Sequence, residues 1–572
     1  MITVLSTAKL KMNGIRRYFF YGIALFGFFL VFPAYARAES FFVNKSFDTQ
    51  NREAVEGALE LAGENAYFFV EKGYRDALPA VERSRLDQKI TELSREFDSR
   101  IYVRMREVFG EERNPGIDND SKITIFLHLT KGGVGGYVRD SDEYSRKEDA
   151  ASNEREMVYL NIEEIINGDF GPSFLAHEFQ HLITFNQKTV LRGVREDQWL
   201  NEARSEYAPT LLGYNEKYDQ SYLKKRVDEF LAHPSDALLD FRGRSIDHAS
   251  VSLFMHYLID RYGITILKEM MRAPATGMES INVALQALSR NETFRDVFGD
   301  WMVTVYVNGG VNSESERFRY RDPNLSFGNL HVLPSGTFRV YDNYLSGANF
   351  AIDNWSGQWY RFVPGSLGEE TALHIRFRSA ESKDLSVPYI VSDFFGGIEV
   401  KNFNMGSGSI LTVPKFGNGV SSVVLAPSLT IPGTNFAAVG NFSLEGFLSD
   451  TSSTRFADGA LVRAEGDSKV YIVKNGTSVG SLFKRWIQTP ELFGFYHHFS
   501  WNDVIEVKQQ FLSGFKESFL IRKAGDYRVY EVDKLGRKKW LNMTPAAFEK
   551  TGHSWDQIYE VNDAEFAWYR GF

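Results

Sequence analysis

The amino-acid sequence predicts a multidomain protein in which an α+β domain precedes a β-sandwich-like domain and two small C-terminal repeat modules. Three observations favour this architecture. Up to residue 307 the pattern is mainly helical, with two apolar runs typical of strands. From Gly309 to about Ser449 the chain has short alternating apolar runs and is rich in glycine and serine. The last part contains an internal sequence repeat. With 572 residues, 43% of them hydrophobic and 24% charged, the chain can bury several cores.

The first 38 residues have the pattern of a secretory signal. They contain five basic residues and no acidic one, an apolar run from Tyr18 to Phe32, and small residues at Ala36 and Ala38 before an expected cleavage at Glu39. A membrane anchor is the alternative, but the run is short for a span, and no later stretch approaches that length. We therefore expect a secreted or cell-surface bacterial protein with no transmembrane segment after signal removal.

Charge and cysteine content narrow the range of partners. The formal net charge of −9 becomes −14 when the five positive charges of the signal are removed, which argues against nucleic acid or an anionic membrane as the partner. The chain has no cysteine, which excludes a disulfide framework, thiol chemistry and a lipidated N-terminal cysteine.

The N-terminal part of the first domain combines helical and strand patterns. Residues 51–109 look largely helical, with a long amphipathic run from Val81 to Val108, whereas Ile123–Leu129 and Met157–Ile162 are typical of strands. Between the two strands, Gly132–Gly136 lacks the Gly-Lys-Ser/Thr ending of a phosphate-binding loop. We expect a flexible hairpin or flap there.

A predicted helix from Phe174 to Phe185 carries the motif that organises the chain. Its apolar residues have helical spacing, and Pro172 suits a first helical turn. His177 and His181 are four residues apart and project from one helix face, where two neutral imidazoles can bind one Zn²⁺. Glu178 lies beside them, within reach of a metal-bound water. A tetrahedral zinc site still needs a third protein ligand.

We expect the third ligand on the next predicted helix, Trp199–Leu212. Glu202 follows His181 by twenty-one positions, and Glu206 lies one turn further along the same face. Spacing alone allows either carboxylate to bind the metal. The complete pattern, His-Glu-x-x-His followed by Asn-Glu-x-x-x-Glu, is much more specific than two histidines at helical spacing.

This pattern resembles the gluzincin metallopeptidases, and Trp199–Tyr207 is similar to the hyicolysin-type family of secreted bacterial neutral metalloproteinases. The resemblance covers roughly residues 50 to 310, and Ser152–Asn161 is a second matching stretch. One departure is Ala203, where glycine is expected; alanine is the better helix former. The resemblance implies an α+β gluzincin metallopeptidase domain, zinc-dependent endopeptidase activity, and protein or peptide substrates.

The resemblance also implies roles for individual residues. Glu202 becomes the metal ligand, because gluzincins use the glutamate directly after the asparagine of this motif. Glu206 then accepts a hydrogen bond from a zinc-bound imidazole. Glu178 acts as general base toward the zinc-bound water and delivers a proton to the leaving nitrogen.

Gluzincins further place a histidine or tyrosine over the oxyanion and a strand at the rim of the cleft. His248 opens a helical pattern and is our candidate for the first role; Tyr207 and His256 compete, although His256 better suits a structural helix. Met157–Ile162 is either the rim strand, whose edge pairs with an extended peptide, or an interior strand. An aminopeptidase is disfavoured, because the Gly-x-Met-Glu-Asn motif is missing.

The remaining patterns complete the domain boundaries. We expect the metallopeptidase domain at 39–312 and the β-rich domain at 313–450, in which no catalytic grouping is apparent. Asp118-Asn-Asp120 is either a structural Ca²⁺ site or, as we favour, a simple Asx turn. Further helices are predicted at Ser221–Leu231, Ala249–Tyr262, Ile264–Met271, Ile281–Leu288 and Phe294–Val307.

Residues 451–572 contain two copies of a small module, at about 458–512 and 517–572. Leu461–Tyr471 matches Leu520–Tyr530, and the Ser-Trp pair at Ser500 recurs later. The recurrent aromatic residues either bind a cell-envelope polymer or, as we favour, form two small cores. The competing function for the whole chain is a non-catalytic cell-surface or wall-binding protein built on a metallopeptidase fold. The intact zinc motif weighs against it.

Overall fold

The computed structural model describes residues 38–309, 316–340, 348–365, 371–403, 410–433, 435–449, 458–476, 482–507, 509–512 and 515–571. The predicted secretory signal lies outside the described residues. Within the described ranges, none of the helices has the length and apolarity that a membrane span requires.

A six-stranded sheet forms one side of the first domain. Its strand order is β1-β2-β3-β4-β6-β5, with β3, β4 and β6 mutually parallel. Every residue of β4 and β6 is buried, as in strands that are covered on both faces. The strands are β1 (Glu39–Phe42), β2 (Ala54–Ala62), β3 (Ala66–Glu71), β4 (Ile123–His128), β5 (Gly136–Tyr137) and β6 (Met157–Asn161).

One prediction for this sheet needs correction, and one open alternative is decided. Residues 51–71, expected to be largely helical, contain β2 and β3 instead, because a short apolar run such as that of β3 has the same appearance in a buried strand and a buried helix. Met157–Ile162 does contain a strand, β6, but it lies between β4 and β5. The sheet edge beside it is therefore formed by β5, from the segment expected to be a flap.

Helices fill the rest of the first domain. Those predicted from Val81 onward are confirmed to within a few residues. The helices are α1 (Lys72–Ala77), α2 (Ala80–Glu96), α3 (Tyr102–Phe109), α4 (Ile162–Asn167), α5 (Gly171–Thr184), α6 (Gln198–Leu211), α7 (Tyr222–Ala232), α8 (Ser245–Tyr262), α9 (Thr265–Arg272), α10 (Gly277–Ala287) and α11 (Phe294–Val307).

Helix α5 lies at the centre of the largest hydrophobic core. Its residues Leu175, Phe179 and Leu182 are buried. The Phe179 ring contacts the rings of Phe97 and Tyr102, with centroids 5.2 and 5.8 Å away. Because this apolar face is fixed by packing, the opposite side of α5, with its two histidines, is directed toward α6.

The same core continues beyond the predicted boundary at residue 312. Trp301 in α11 donates a hydrogen bond from Nε1 to the hydroxyl of Tyr320 at 2.8 Å. Asn308 donates from Nδ2 to the carbonyls of Leu325 and Leu330 at 2.9 and 2.7 Å. Residues up to Val332 are therefore part of the packing that holds α11.

The second domain consists of β-strands around its own core. They are β7 (Gly336–Val340), β8 (Ala348–Asp353), β9 (Ser356–Gly357), β10 (Tyr360–Pro364), β11 (Thr371–Ser379), β12 (Leu385–Ser386), β13 (Pro388–Asp393), β14 (Ile398–Asn402), β15 (Ile410–Phe416), β16 (Val420–Leu425), β17 (Ser428–Leu429) and β18 (Val439–Ser449).

Nine of these strands belong to one sheet with two halves. One half has the order β14-β13-β16-β10-β7 and the other β15-β11-β18-β8, and they are joined where Phe416 pairs with Val420. Tyr360 of the first half contacts Phe350 and Phe442 of the second, with ring centroids 4.4 and 5.7 Å apart. Two halves that share one core agree with the expected sandwich-like packing.

The C-terminal region holds two five-stranded sheets with the same strand order, β22-β19-β20-β21-β23 and β27-β24-β25-β26-β28. Their strands are β19 (Leu461–Ala464), β20 (Val470–Asn475), β21 (Leu482–Ile487), β22 (Ile505–Val507), β23 (Lys516–Glu517), β24 (Leu520–Lys523), β25 (Val529–Val532), β26 (Arg537–Trp540), β27 (Tyr559–Val561) and β28 (Arg570–Gly571). Short helices accompany them, α12 (Pro490–Gly494), α13 (Gln509–Leu512), α14 (Pro545–Lys550) and α15 (Asp563–Trp568).

The favoured interpretation that the recurrent tryptophans form small cores is wrong for three of them. Trp501, Trp540 and Trp555 are 55%, 43% and 47% exposed. Trp501 stacks on Phe493 with a centroid separation of 4.0 Å, and Trp555 lies 4.5 Å from Phe548. Each of these two rings therefore packs against a phenylalanine and is still about half exposed to solvent.

Candidate metal centre and active site

Two adjacent helices bring the predicted ligands together. His177 and His181 lie one turn apart on α5, and Glu202 faces them from α6. Glu202 Oε2 is 3.3 Å from His177 Nε2 and 3.7 Å from His181 Nε2. In the part of the chain that the structure describes, this is the only group of three or more histidine or acidic side chains whose ligand atoms converge within 4.8 Å.

The donor set fits a zinc ion. Two imidazole nitrogens and one carboxylate oxygen are the protein ligands of many hydrolytic zinc sites, which keep a fourth position open. Glu202 Oε2 is buried and accepts no hydrogen bond of good geometry, although the Nε2 atoms of His177 and His181 lie 3.3 and 3.7 Å away. A buried carboxylate oxygen without a partner is costly, and a cation at the centre of the group would satisfy it.

The electrostatics of the group favour the ionised form of the Glu202 carboxylate, which is the form that binds a metal ion. Burial by itself raises the pKa of Glu202, but His181 and His177 lower it to about 2. Conversely, burial lowers the pKa of His177, whereas the close Glu202 carboxylate and the nearby Glu178 and Glu206 raise it to about 9. The carboxylates of Glu178, Glu202 and Glu206 therefore favour a positive charge at this point, whether the His177 ring or a bound cation carries it.

Each imidazole has a neighbour on its other nitrogen. Ser205 Oγ lies 3.2 Å from His181 Nδ1 and donates a hydrogen bond to Gln180 Oε1 at 2.7 Å. His177 Nδ1 is 4.0 Å from Glu206 Oε1, which is longer than a hydrogen bond. The hydrogen bond expected from a zinc-binding imidazole to Glu206 is therefore not formed, although Glu206 lies beside His177.

Glu178 is enclosed beside the metal ligands. The residue is only 6% exposed. Burial and the neighbouring Glu202 and Glu206 carboxylates raise its pKa to about 8, against the opposing effect of His177. A Cβ added at Gly136 would come within 2.8 Å of Glu178 Cγ. Strand β5 therefore lies directly against the candidate general base.

His248 is the one of the three oxyanion candidates that the structure brings to the site. Its Nδ1 is 3.2 Å from Glu206 Oε1 and 3.7 Å from Glu202 Oε2. The Tyr207 ring instead packs against the ring of His256, with centroids 4.9 Å apart. His256 is 2% exposed and bonds to the Thr210 hydroxyl and the Ser252 carbonyl, so the structural role expected for it agrees with its contacts.

Sequence reasoning missed two parts of the site. Arg226 on α7 donates two hydrogen bonds to Glu206, at 2.6 and 3.0 Å. Gly135 and Gly136 pack against Phe174 and Glu178, with no room for a side chain. The glycine run was the only available signal for the second feature, and nothing in the local pattern pointed to the first.

The acidic turn at residues 118–120 has the hydrogen bonds of an Asx turn. Asp118 Oδ1 accepts from the backbone N–H of Asp120 at 2.9 Å, and Asp120 Oδ1 accepts from the N–H of Lys122 at 3.0 Å. Calcium binding at this turn remains a prediction.

Comparison with known proteins gives one similar sequence. No family model matches the chain. The neutral metalloprotease ShpI of Staphylococcus hyicus is 25% identical over 274 residues, which cover 43% of this chain. The match spans 57% of the length of ShpI.

Similarity to solved structures is weak, with TM-scores far below 0.5. A mitogen from Yersinia pseudotuberculosis and the lysozyme inhibitor PliG of Salmonella Typhimurium are 12% and 11% identical, and each covers 20% of this chain. The matched segments make up 92% of the mitogen chain and 100% of the PliG chain, and the TM-score is 0.15 in both cases. At this level they carry no argument about function.

Proposed function

We propose that this protein is a zinc-dependent endopeptidase of the hyicolysin type, with a gluzincin active site. The observation that carries the proposal is the convergence of His177, His181 and Glu202 around a buried carboxylate oxygen that has no other partner. Similarity to a neutral metalloprotease supports the class of enzyme. The finer type rests on the motif itself.

Zinc held by these three side chains would supply Lewis acidity, which lowers the pKa of water and polarises a carbonyl. Glu178 takes a proton from the attacking water and passes it to the leaving amide nitrogen. The position of Glu178 supports this role, because burial and the neighbouring Glu202 and Glu206 carboxylates raise its pKa and so make it a stronger proton acceptor than an ordinary carboxylate.

His248 is proposed to stabilise the developing oxyanion. A carboxylate only accepts hydrogen bonds, so the short distance from Glu206 Oε1 to His248 Nδ1 places the proton on Nδ1 of the neutral ring. When His248 is protonated, Nε2 also carries a proton and can donate to substrate. Its side chain is 22% exposed, which leaves it accessible from the cleft.

The substrate backbone is proposed to pair with β5. This strand is at the end of the strand order, beside β6, and Gly136 touches Glu178. An extended peptide that adds to a sheet edge is held by its main chain, so binding depends little on side chains. Protein or peptide substrates of varied sequence are therefore expected.

We further propose that the protein is secreted or held at the cell surface and that the C-terminal sheets are repeat modules that bind the cell envelope. The N-terminal sequence supports export, and the equal strand orders support the repeat. Exposed Trp501 and Trp555, at matching positions, are suited to stacking on sugar rings. Loss of binding to isolated envelope material after substitution of both by alanine would support this role, and unchanged binding would contradict it.

The function is tested by metal content and cleavage of denatured casein. Glu178→Gln should keep zinc and fold but lose at least about a hundredfold in turnover, the scale of a missing general base. Glu163→Gln, an exposed glutamate on α4, is the matched control and should behave as the parent. Near-normal cleavage by zinc-loaded Glu178→Gln contradicts the mechanism. A zinc-containing parent that cleaves no peptide favours the non-catalytic alternative.

A further inference from the structure

Arg226 is a buried cation close to the candidate active site. The residue is 5% exposed and lies on α7. Its guanidinium binds the Glu206 carboxylate with two hydrogen bonds, Nη2 to Oε1 at 2.6 Å and Nε to Oε2 at 3.0 Å. Such a two-point contact fixes the carboxylate in its plane as well as in position.

The same guanidinium also reaches the helix that carries His248. Its Nη1 donates to the carbonyl and the hydroxyl of Ser245, at 3.3 and 3.2 Å, and to Glu229 at 3.0 Å. Ser245 is the first residue of α8, and His248 follows within one turn. One side chain therefore connects α6, α7 and the start of α8.

Glu206 transmits this connection to the imidazoles. Its Oε1 accepts from Arg226 and lies 3.2 Å from Nδ1 of His248. The same oxygen is 4.0 Å from Nδ1 of the candidate ligand His177. If Glu206 rotates, the partner of the His248 ring is lost, although neither metal ligand on α5 is altered.

We propose that Arg226 is a positioning residue that holds Glu206, and through Glu206 the His248 ring, in the orientation needed for catalysis. The inference rests on the proposed peptidase function. Arg226 is not one of the candidate metal ligands, and the hydrogen bonds of its guanidinium go to Glu206, Glu229 and Ser245. A purely structural role, joining three helices, is the competing explanation, because a buried ion pair also supports packing.

Two substitutions separate orientation from charge and volume. Arg226→Lys keeps the positive charge but cannot make the planar two-point contact. Arg226→Met keeps much of the aliphatic volume and loses the charge. Arg485, which is 3% exposed and bonds to both oxygens of Glu565 in the C-terminal sheets, provides the matched control, Arg485→Met.

The first measurement is steady-state kinetics on zinc-loaded protein. Arg226→Met should lower kcat by about ten- to a hundredfold, as is typical when a supporting hydrogen bond to an active-site group is removed. KM should change by less than about twofold, because the substrate contacts remain. Arg226→Lys should recover part of kcat, and Arg485→Met should retain the parental kcat.

The second measurement does not require activity. With ¹⁵N-labelled histidine, NMR should show the His248 ring of the parent protonated on Nδ1. Arg226→Met should shift this signal or convert it to a tautomer mixture, whereas Arg485→Met should not. If the parent cleaves no peptide, the proposed function fails, yet this spectrum still decides whether Arg226 orients His248.

The proposal is overturned if folded Arg226→Met keeps both the parental kcat and the parental His248 signal. It is also overturned if both arginine variants lose activity equally, since the effect would then be general loss of stability. Should Arg226→Met fail to fold, Arg226→Lys supplies the answer through the same two readouts, with unchanged values contradicting the inference.

Discussion

Replacement of Gly136 by alanine tests whether β5 borders the catalytic group. The new Cβ would lie 2.8 Å from Glu178 Cγ, 2.9 Å from the Tyr159 carbonyl oxygen and 3.0 Å from Leu160 Cδ2. Ordinary contact begins at 3.4 Å, so the closest neighbour must move by about 0.6 Å. Overpacking of this kind costs about 1–3 kcal/mol.

The displacement should reduce activity more than stability. The Tyr159 carbonyl is part of the sheet and Leu160 is buried, so either Glu178 or β5 itself gives way. A misplacement of about 1 Å in catalytic geometry costs about a hundredfold in rate. We therefore expect Gly136→Ala to lose ten- to a hundredfold in kcat/KM, on the order expected for such a shift, while it keeps zinc.

The assay combines kcat/KM on a fluorogenic peptide, zinc content after dialysis and a thermal melt. Gly132→Ala is the matched control, because the structure has no heavy atom within 4 Å of a Cβ at that position. Activity of Gly136→Ala equal to that of Gly132→Ala would refute the placement of β5 against Glu178. Loss of zinc in Gly136→Ala would show that the ligands, rather than the general base, had been displaced.

Three further predictions concern the metal, pH and domain limits. Glu202→Gln should lose most of its zinc on dialysis, because an anionic ligand becomes a weak neutral one. Glu206→Gln should keep zinc and lose about ten- to a hundredfold in activity or affinity. If Glu206→Gln loses its zinc and Glu202→Gln keeps it, the roles of the two residues are exchanged. Burial and the neighbouring Glu156 raise the pKa of Glu143 well above its usual value, so the folded state holds a proton that the unfolded state releases. Stability should fall as pH rises from the ordinary pKa of a glutamate through the raised pKa of folded Glu143, and Glu143→Gln should flatten that fall in thermal melts. Parallel profiles would contradict the assignment. A chain ending after Asn312 should not melt cooperatively, since it lacks the segment that packs on α11, and a cooperative melt would restore the boundary expected from sequence.

The sequence by itself determined those features that depend on short-range spacing. The four-residue separation of His177 and His181 on a helix is a local property of periodicity, and α5 formed as expected because its apolar face had a core to pack against. The same reasoning succeeded for α6, which carries both candidate carboxylates, and for α7 to α11. It failed for residues 54–71, where a short apolar run does not distinguish strand from helix.

Only the tertiary structure decided which distant residues meet. The pairing of Arg226 with Glu206, twenty positions away on another helix, depends on how α6 and α7 pack, and no local pattern encodes it. The position of β5 beside β6 follows from the sheet order, which is set by long-range hydrogen bonds. Tertiary packing also decided which of the three oxyanion candidates lies at the site. His248, Tyr207 and His256 all fit helical spacing, but only the packing of the whole core determines that His248 faces Glu206 while Tyr207 packs against His256.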